Sequence, residues 1–120
     1  MLNVARVRRD FPILNTDIIY MDSASSSLTP EPVLTKMTEF YHQYRANVDR
    51  GIHRLSQKAS EEYEEAHEKV ARFLNARSPA EIVMTRNTTE GLNLIANGLD
   101  WKKGDKIITT LLDHHSNFII

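Results

Sequence analysis

The stretch that most limits what this chain can become is 82–97, IVMTRNTTEGLNLIAN. It reads as a strand, a polar turn and an amphipathic helix. Ile82, Val83 and Met84 form a short apolar run suited to a buried parallel strand. Arg86, Asn87, Thr88 and Thr89 interrupt it. Asn87 is one of the few non-glycine residues that tolerate a left-handed backbone. Thr88 is placed to cap the helix, with Glu90 and Gly91 in its first turn. Leu92, Ile95, Ala96 and Leu99 then recur at helical spacing. The first N–H groups of a helix lack intrahelical partners and point at one spot. Two threonine hydroxyls beside them make that spot a seat for phosphate. In isolation the same pattern describes an ordinary capped helix, so its meaning depends on the rest of the chain.

The surrounding pattern divides into three parts. Residues 1–29 read as an N-terminal arm: a short helix over 4–10 with Val4, Val7 and Phe11 on one side, ended by Pro12, then a short strand over 18–21. The small-residue turn DSASSS at 22–27 follows, either a connector or a place where a ligand can approach the backbone. Residues 30–77 read as two long helices. Pro30 and Pro32 open the first, whose apolar stripe runs Val33, Leu34, Met37, Phe40, Tyr41, Tyr44, Val48, with Arg45 and Asp49 spaced to pair. Ser56 is placed to cap the second, over 57–75, which turns Ala59, Tyr63, Ala66, Val70, Phe73 and Leu74 inward. Its outer face carries Glu65–Lys69 and Glu68–Arg72 at i,i+4 spacing and His67 at the surface.

Residues 78–120 read as β–α–β, with a turn at Ser78-Pro79, turn signals at Asn97-Gly98 and Lys103-Gly104-Asp105, a second buried strand over 106–112, and a helix start near 113–117. The expected fold class is α/β with a mostly parallel sheet. Polar groups gather after the carboxyl ends of both strands, where open α/β sheets bind ligands.

Composition excludes several classes. The 120 residues suffice for one small domain. A net charge of −1 without a basic stripe gives no footprint for nucleic acid. There is no cysteine, hence no disulfide, no thiolate zinc site and no thiol nucleophile. No apolar run has signal-peptide or membrane-spanning character, so the expected location is cytoplasmic, with no membrane partner. The glutamates at 61–68 read as a solvated helix face. Asp113, His114 and His115 make a poor metal set, because adjacent histidines diverge and no third ligand follows at a recognisable spacing.

The pieces YMDSASSS, VDRGIHRLS, EIVMTRNTTEGLNLIAN and DHHSN occur in an order and spacing that resemble the pyridoxal-phosphate-dependent cysteine desulfurases, in the branch that serves iron–sulfur assembly and includes selenocysteine lyases, within the class V aminotransferases. The resemblance implies the N-terminal part of a fold type I large domain. It implies that the turn Asn87-Thr88-Thr89 holds the phosphate of pyridoxal 5′-phosphate. Many relatives have glycine where Asn87 stands. His114 would stack on the pyridine ring and serve catalysis by helping to move protons. Its plain alternative is a helix-capping histidine. His115 has no such assignment and reads as structural. Ala24 and Ser25 would border the substrate side. Arg50 and His53 resemble a loop near the active site and dimer interface, where arginine suits a carboxylate. Asp49 departs from the histidine common in close relatives, and Arg50 is otherwise a surface ion pair.

The resemblance also marks three parts that this sequence lacks: the Schiff-base lysine, the aspartate that pairs with the pyridine nitrogen, and the cysteine that carries persulfide sulfur. Lys102, Lys103 and Lys106 sit at the wrong end of a strand for the first role. In the family the strands matching 82–85 and 106–112 lie on opposite sides of the sheet, so here they would leave open edges. The expectation is an amino-terminal fragment, split subunit or broken frame, inactive and aggregation-prone alone. The complete enzyme would take L-cysteine, form a homodimer and deliver sulfur to an acceptor protein, with a complementing C-terminal chain as a possible partner of this one. The alternatives are a truncated non-catalytic relative, or selenocysteine lyase or other class V activity in the full-length protein.

Overall fold

The computed structural model describes residues 2–117. Its regular elements are four α-helices: α1 (Val4–Arg9), α2 (Glu31–Glu39), α3 (Arg54–Phe73) and α4 (Thr88–Gly98). Short 3-10 turns stand at Pro12–Leu14, Pro79–Glu81 and His115–Asn117, and α2 runs on into a π-helical turn, Phe40–Tyr44. The helix start expected near 113–117 is a 3-10 turn as far as residue 117; its continuation lies outside the described residues.

Local chemistry accounts for the helix ends. The Asn3 side chain accepts the Arg6 N–H at 3.0 Å and opens α1. Pro30 flanks α2 in an extended conformation and Pro32 sits in its first turn, where a missing N–H costs nothing. α2 with its π turn stops at Tyr44, short of the expected Val48. Arg45, expected to pair with Asp49, lays its guanidinium 5.4 Å from the Tyr41 ring centre instead. α3 begins at Arg54, earlier than expected, and its cap is His53 rather than Ser56: His53 Nδ1 accepts the Ser56 N–H at 3.3 Å. At the other end Asn75 adopts φ 56°. The Ala76 N–H reaches Ala71 O at 2.9 Å and the Asn75 N–H reaches Arg72 O at 3.2 Å, a Schellman ending built on asparagine.

α2, the π turn and α3 form a helical hairpin. α3 packs against the π turn near its start and against the Pro79–Glu81 turn near its end. Its buried residues follow that division: Ser56 and Ala59 lie early, Ala71 late. The middle is open, which corrects the expected inward face. Ala66, Tyr63, Phe73 and Leu74 are exposed, whereas His67 is half-buried with Nδ1 3.0 Å from Tyr63 O. Tyr44 is the largest buried apolar side chain among the described residues, 5% exposed, and meets Phe40 edge-on at 5.6 Å. Lys36 Nζ bridges the helices, 2.8 Å from Glu39 and 2.9 Å from Glu62, while Lys58 holds the other Glu62 oxygen at 2.7 Å. The pairs Glu65–Lys69 and Glu68–Arg72 form as the spacing predicts.

The three expected strands do not form: among the described residues there is no β-strand. Segments 18–21, 82–84 and 106–112 are irregular or extended, with Ile19, Val83, Ile108 and Leu111 all exposed. The physical reason lies in where the hydrogen bonds go. A helix satisfies its backbone from within, whereas a strand needs another segment alongside. None of these three pairs with another here. The radius of gyration is accordingly 19.3 Å, against roughly 14 Å for a compact chain of this length.

Candidate functional site

The start of α4 is built differently from the expectation in two respects. Asn87, not Thr88, is the cap: its side-chain oxygen accepts the Glu90 N–H at 2.9 Å. Its backbone is extended, at φ −164° and ψ 172°, so no left-handed conformation is needed and the absence of glycine there carries no strain. Glu90 reaches back over the turn, accepting the Arg86 N–H at 2.6 Å and the guanidinium at 3.2 and 3.3 Å. The Arg86 backbone N–H and then its side chain hold the Glu90 carboxyl below its usual range. Together Asn87 and Glu90 clasp the turn as a capping box displaced by one residue.

What the clasp leaves open is informative. Among the described residues, neither the N–H nor the hydroxyl of Thr88 or Thr89 has a hydrogen-bond partner within the chain. Both threonines are exposed at the positive end of the helix dipole. Four donors thus stand free where a phosphate would sit, and this donor set fits a phosphate ester.

The segment after the second expected strand also meets α4. The turn His115–Asn117 packs against it. His114 precedes that turn and caps it: the Ser116 N–H donates to Nδ1 at 3.2 Å, with Ser116 Oγ at 2.8 Å. An N–H aimed at Nδ1 requires a lone pair there, which assigns the proton of neutral His114 to Nε2. The capping alternative is therefore realised, and it fixes the ring's orientation while leaving Nε2 available. The His115 ring centre stands 4.1 Å from that of His114 at 35°, so the two adjacent histidines lie together rather than diverging as expected. Asp113 accepts from Thr110 N–H at 3.1 Å, Asn117 Nδ2 at 2.8 Å and Thr109 Oγ1 at 3.2 Å. These bonds, the Thr110 backbone first, hold its carboxyl below the usual range.

The remaining candidates are held locally. Ala24 and Ser25 lie in a turn closed by the Ser25 and Ser26 N–H groups on Asp22 O, each at 3.1 Å, and by the Tyr20 hydroxyl on Ser26 O. Arg50 is exposed, and His53 is engaged through Nδ1 as the α3 cap. No hydrogen bond among the described residues links either group to Thr88, Thr89 or His114. Sequence reasoning missed the Glu90 clasp, although Asn87-x-x-Glu90 carries the capping-box spacing that signals it. It also missed Ser116, for which no sequence signal exists.

The model of the aminotransferase class V family matches residues 19–120, and the chain belongs to that family. The similarity narrows further among individual relatives. The chain is 54% identical over 115 residues to a probable cysteine desulfurase of Pyrococcus abyssi, covering 94% of this chain and 28% of that protein. It is 50% identical over 125 residues to a probable cysteine desulfurase of Synechocystis, covering 96% and 29%. Among solved structures, the apo cysteine desulfurase of Thermococcus onnurineus superposes with a TM-score of 0.89 at 50% identity, covering 99% of this chain and 30% of that one. The chain thus spans about 30% of the length of the proteins it matches. No helix among the described residues is long and apolar enough to cross a membrane.

Proposed function

We propose that this chain is the amino-terminal part of a pyridoxal-phosphate-dependent cysteine desulfurase of fold type I, contributing the phosphate seat and the ring-facing histidine. The observation that carries the reading is the set of free donors on Thr88 and Thr89, in a chain half identical to a solved cysteine desulfurase over nearly its whole length. Thr88 and Thr89 bind the phosphate through their N–H and hydroxyl groups. Asn87 and Glu90 keep the turn in shape without occupying those donors. His114, oriented by Ser116, offers its ring face for stacking and Nε2 for holding a proton. Pyridoxal phosphate, when bound, supplies the electron sink that the side chains lack. Ala24, Ser25, Arg50 and His53 form the substrate side, with Arg50 as the carboxylate partner.

In the whole enzyme the reaction converts L-cysteine to L-alanine with sulfur kept as a persulfide. The thiol for that step comes from elsewhere, since this sequence contains no cysteine. The remainder of the domain would also complete the sheet and the dimer, in the cytoplasm, and a sulfur-acceptor protein would take the product.

Two measurements test this. Pyridoxal 5′-phosphate is expected to shift the amide resonances of Thr88 and Thr89, and a Thr88→Ala, Thr89→Ala double variant to lose the response. Co-expression with the remaining part of a cysteine desulfurase is expected to give sulfide from cysteine in the presence of a dithiol reductant, while the chain alone gives none. Absence of any response at α4 removes the cofactor assignment. A response without sulfide in the co-expressed pair makes the chain a non-catalytic relative.

A further inference from the structure

The loop 47–53 is exposed, yet it is tied to the first turns of α3 at several points. Ser56, fully buried, donates its hydroxyl to Asn47 O. Ser60 Oγ accepts the Asp49 N–H at 2.9 Å and donates to Ser56 O at 2.9 Å. Asp49 is at φ 63°, a left-handed conformation that most L-residues avoid and that aspartate tolerates, and its N–H is held there by Ser60. Gly51 lies so close to Ser56 that a Cβ there would collide with both Cβ and Oγ of the serine. His53 closes the loop by capping α3. Within this frame Arg50 is exposed, and Ile52 is 96% exposed. A loop that has surrendered its freedom to buried and half-buried serines, while keeping its charged residue outside, is organised to hold that residue in place.

We propose that Gly51, Ser56 and Ser60 are positioning residues that lock the 47–53 loop onto α3 and thereby fix the direction in which Arg50 and His53 project. The proposal rests on the functional reading above for what these two side chains face, the substrate side, with Arg50 toward a carboxylate; the lock itself stands independently of that reading. Each element has a separate job. The Ser56 hydroxyl anchors the entry of the loop. Ser60 holds the left-handed residue. The missing side chain at Gly51 lets the loop descend far enough for His53 to reach the Ser56 N–H.

Ser60 is only half-buried, so Ser60→Ala is the primary variant. Losing one such bond is expected to speed hydrogen exchange of the Asp49 amide about fivefold to tenfold. Trypsin cleavage after Arg50 should accelerate in parallel, and helicity by circular dichroism should be unchanged. Ser60→Thr, which keeps the hydroxyl, is expected to restore both rates. In Gly51→Ala the His53 imidazole resonances are expected to move as the cap is pushed off. Wild-type exchange and cleavage in Ser60→Ala, or unmoved His53 resonances in Gly51→Ala, overturn the lock. If α4 instead fails to respond to pyridoxal phosphate, the functional reading falls and these loop measurements keep their meaning.

Discussion

The helical hairpin and the segment that follows it respond differently to the same circumstance. In the hairpin, α2 and α3 satisfy their own backbones, and the two helices are joined by Tyr44, Lys36 and Glu62. In 78–117 the organised pieces among the described residues are the Pro79–Glu81 turn against α3, then α4 and the turn packed on it, while the apolar stretch 106–112 stays exposed. Both regions carry apolar residues in strong patterns. What separates them is the distance to the hydrogen-bond partner: four residues in a helix, another segment of chain in a sheet. Across 99% of the chain the backbone superposes on the solved relative with a TM-score of 0.89, yet among the described residues no ladder forms.

Substitutions can break or sharpen this contrast. The largest effect is expected from Tyr44→Ala, which removes the buried aromatic against α3. It should cost about 3 kcal/mol and loosen the hairpin, seen as a lowered helical melting transition by far-UV circular dichroism. A hairpin that melts unchanged would mean that its two helices are held by something other than this ring. Next is Asn87→Ala, which removes the cap of α4. A loss of about 1 kcal/mol is expected, confined to 88–98 and read by amide exchange there.

The charge bridge gives a pH-dependent test. Hydrogen bonds from Lys58 and then Lys36 hold Glu62 down to about 2. A carboxyl depressed on folding stabilises the hairpin fully above the ordinary carboxylate range, and loses that contribution as pH falls from there through about 2. Acid titration of the helical signal should therefore show a slope in that window that Glu62→Gln lacks. The smallest effect is expected from Ile108→Ala, within about 0.5 kcal/mol, because that side chain is 90% exposed. A large loss there would show that 106–112 is packed in solution after all.

Much of the helical content was legible because its signals are local. The stripe of α2, the i,i+4 pairs of α3 and the proline that ends α1 each depend on neighbours a few residues away. Caps were read less well. Ser56 is a stronger cap type than His53, yet His53 takes the role because a tertiary tie draws Ser56 inward; Asn87 outranks Thr88 as a cap and also stands three residues before Glu90. The strands were legible as patterns but not as structure, because β-pairing is decided by what lies alongside. The donors on Thr88 and Thr89 could be anticipated from the strand–turn–helix pattern. The cross-helix bridge from Lys36 to Glu62 could not, because the register between two helices leaves no trace in spacing.

The widened turn at Phe40–Tyr44 has a consequence for the phase of everything after it. Each residue of an α-helix advances about 100°, so a turn that closes one residue late swings the outgoing chain by about that angle. The seven-residue stripe drawn through Val48 assumed an unbroken period; instead Tyr44 is buried while Val33, Leu34, Met37 and Tyr41 are exposed, and the helix ends at Tyr44. Deleting a single residue from 40–44 would restore the regular pitch and aim a different side chain at α3, so the hairpin's geometry is encoded as much by the count of residues in that turn as by their identity.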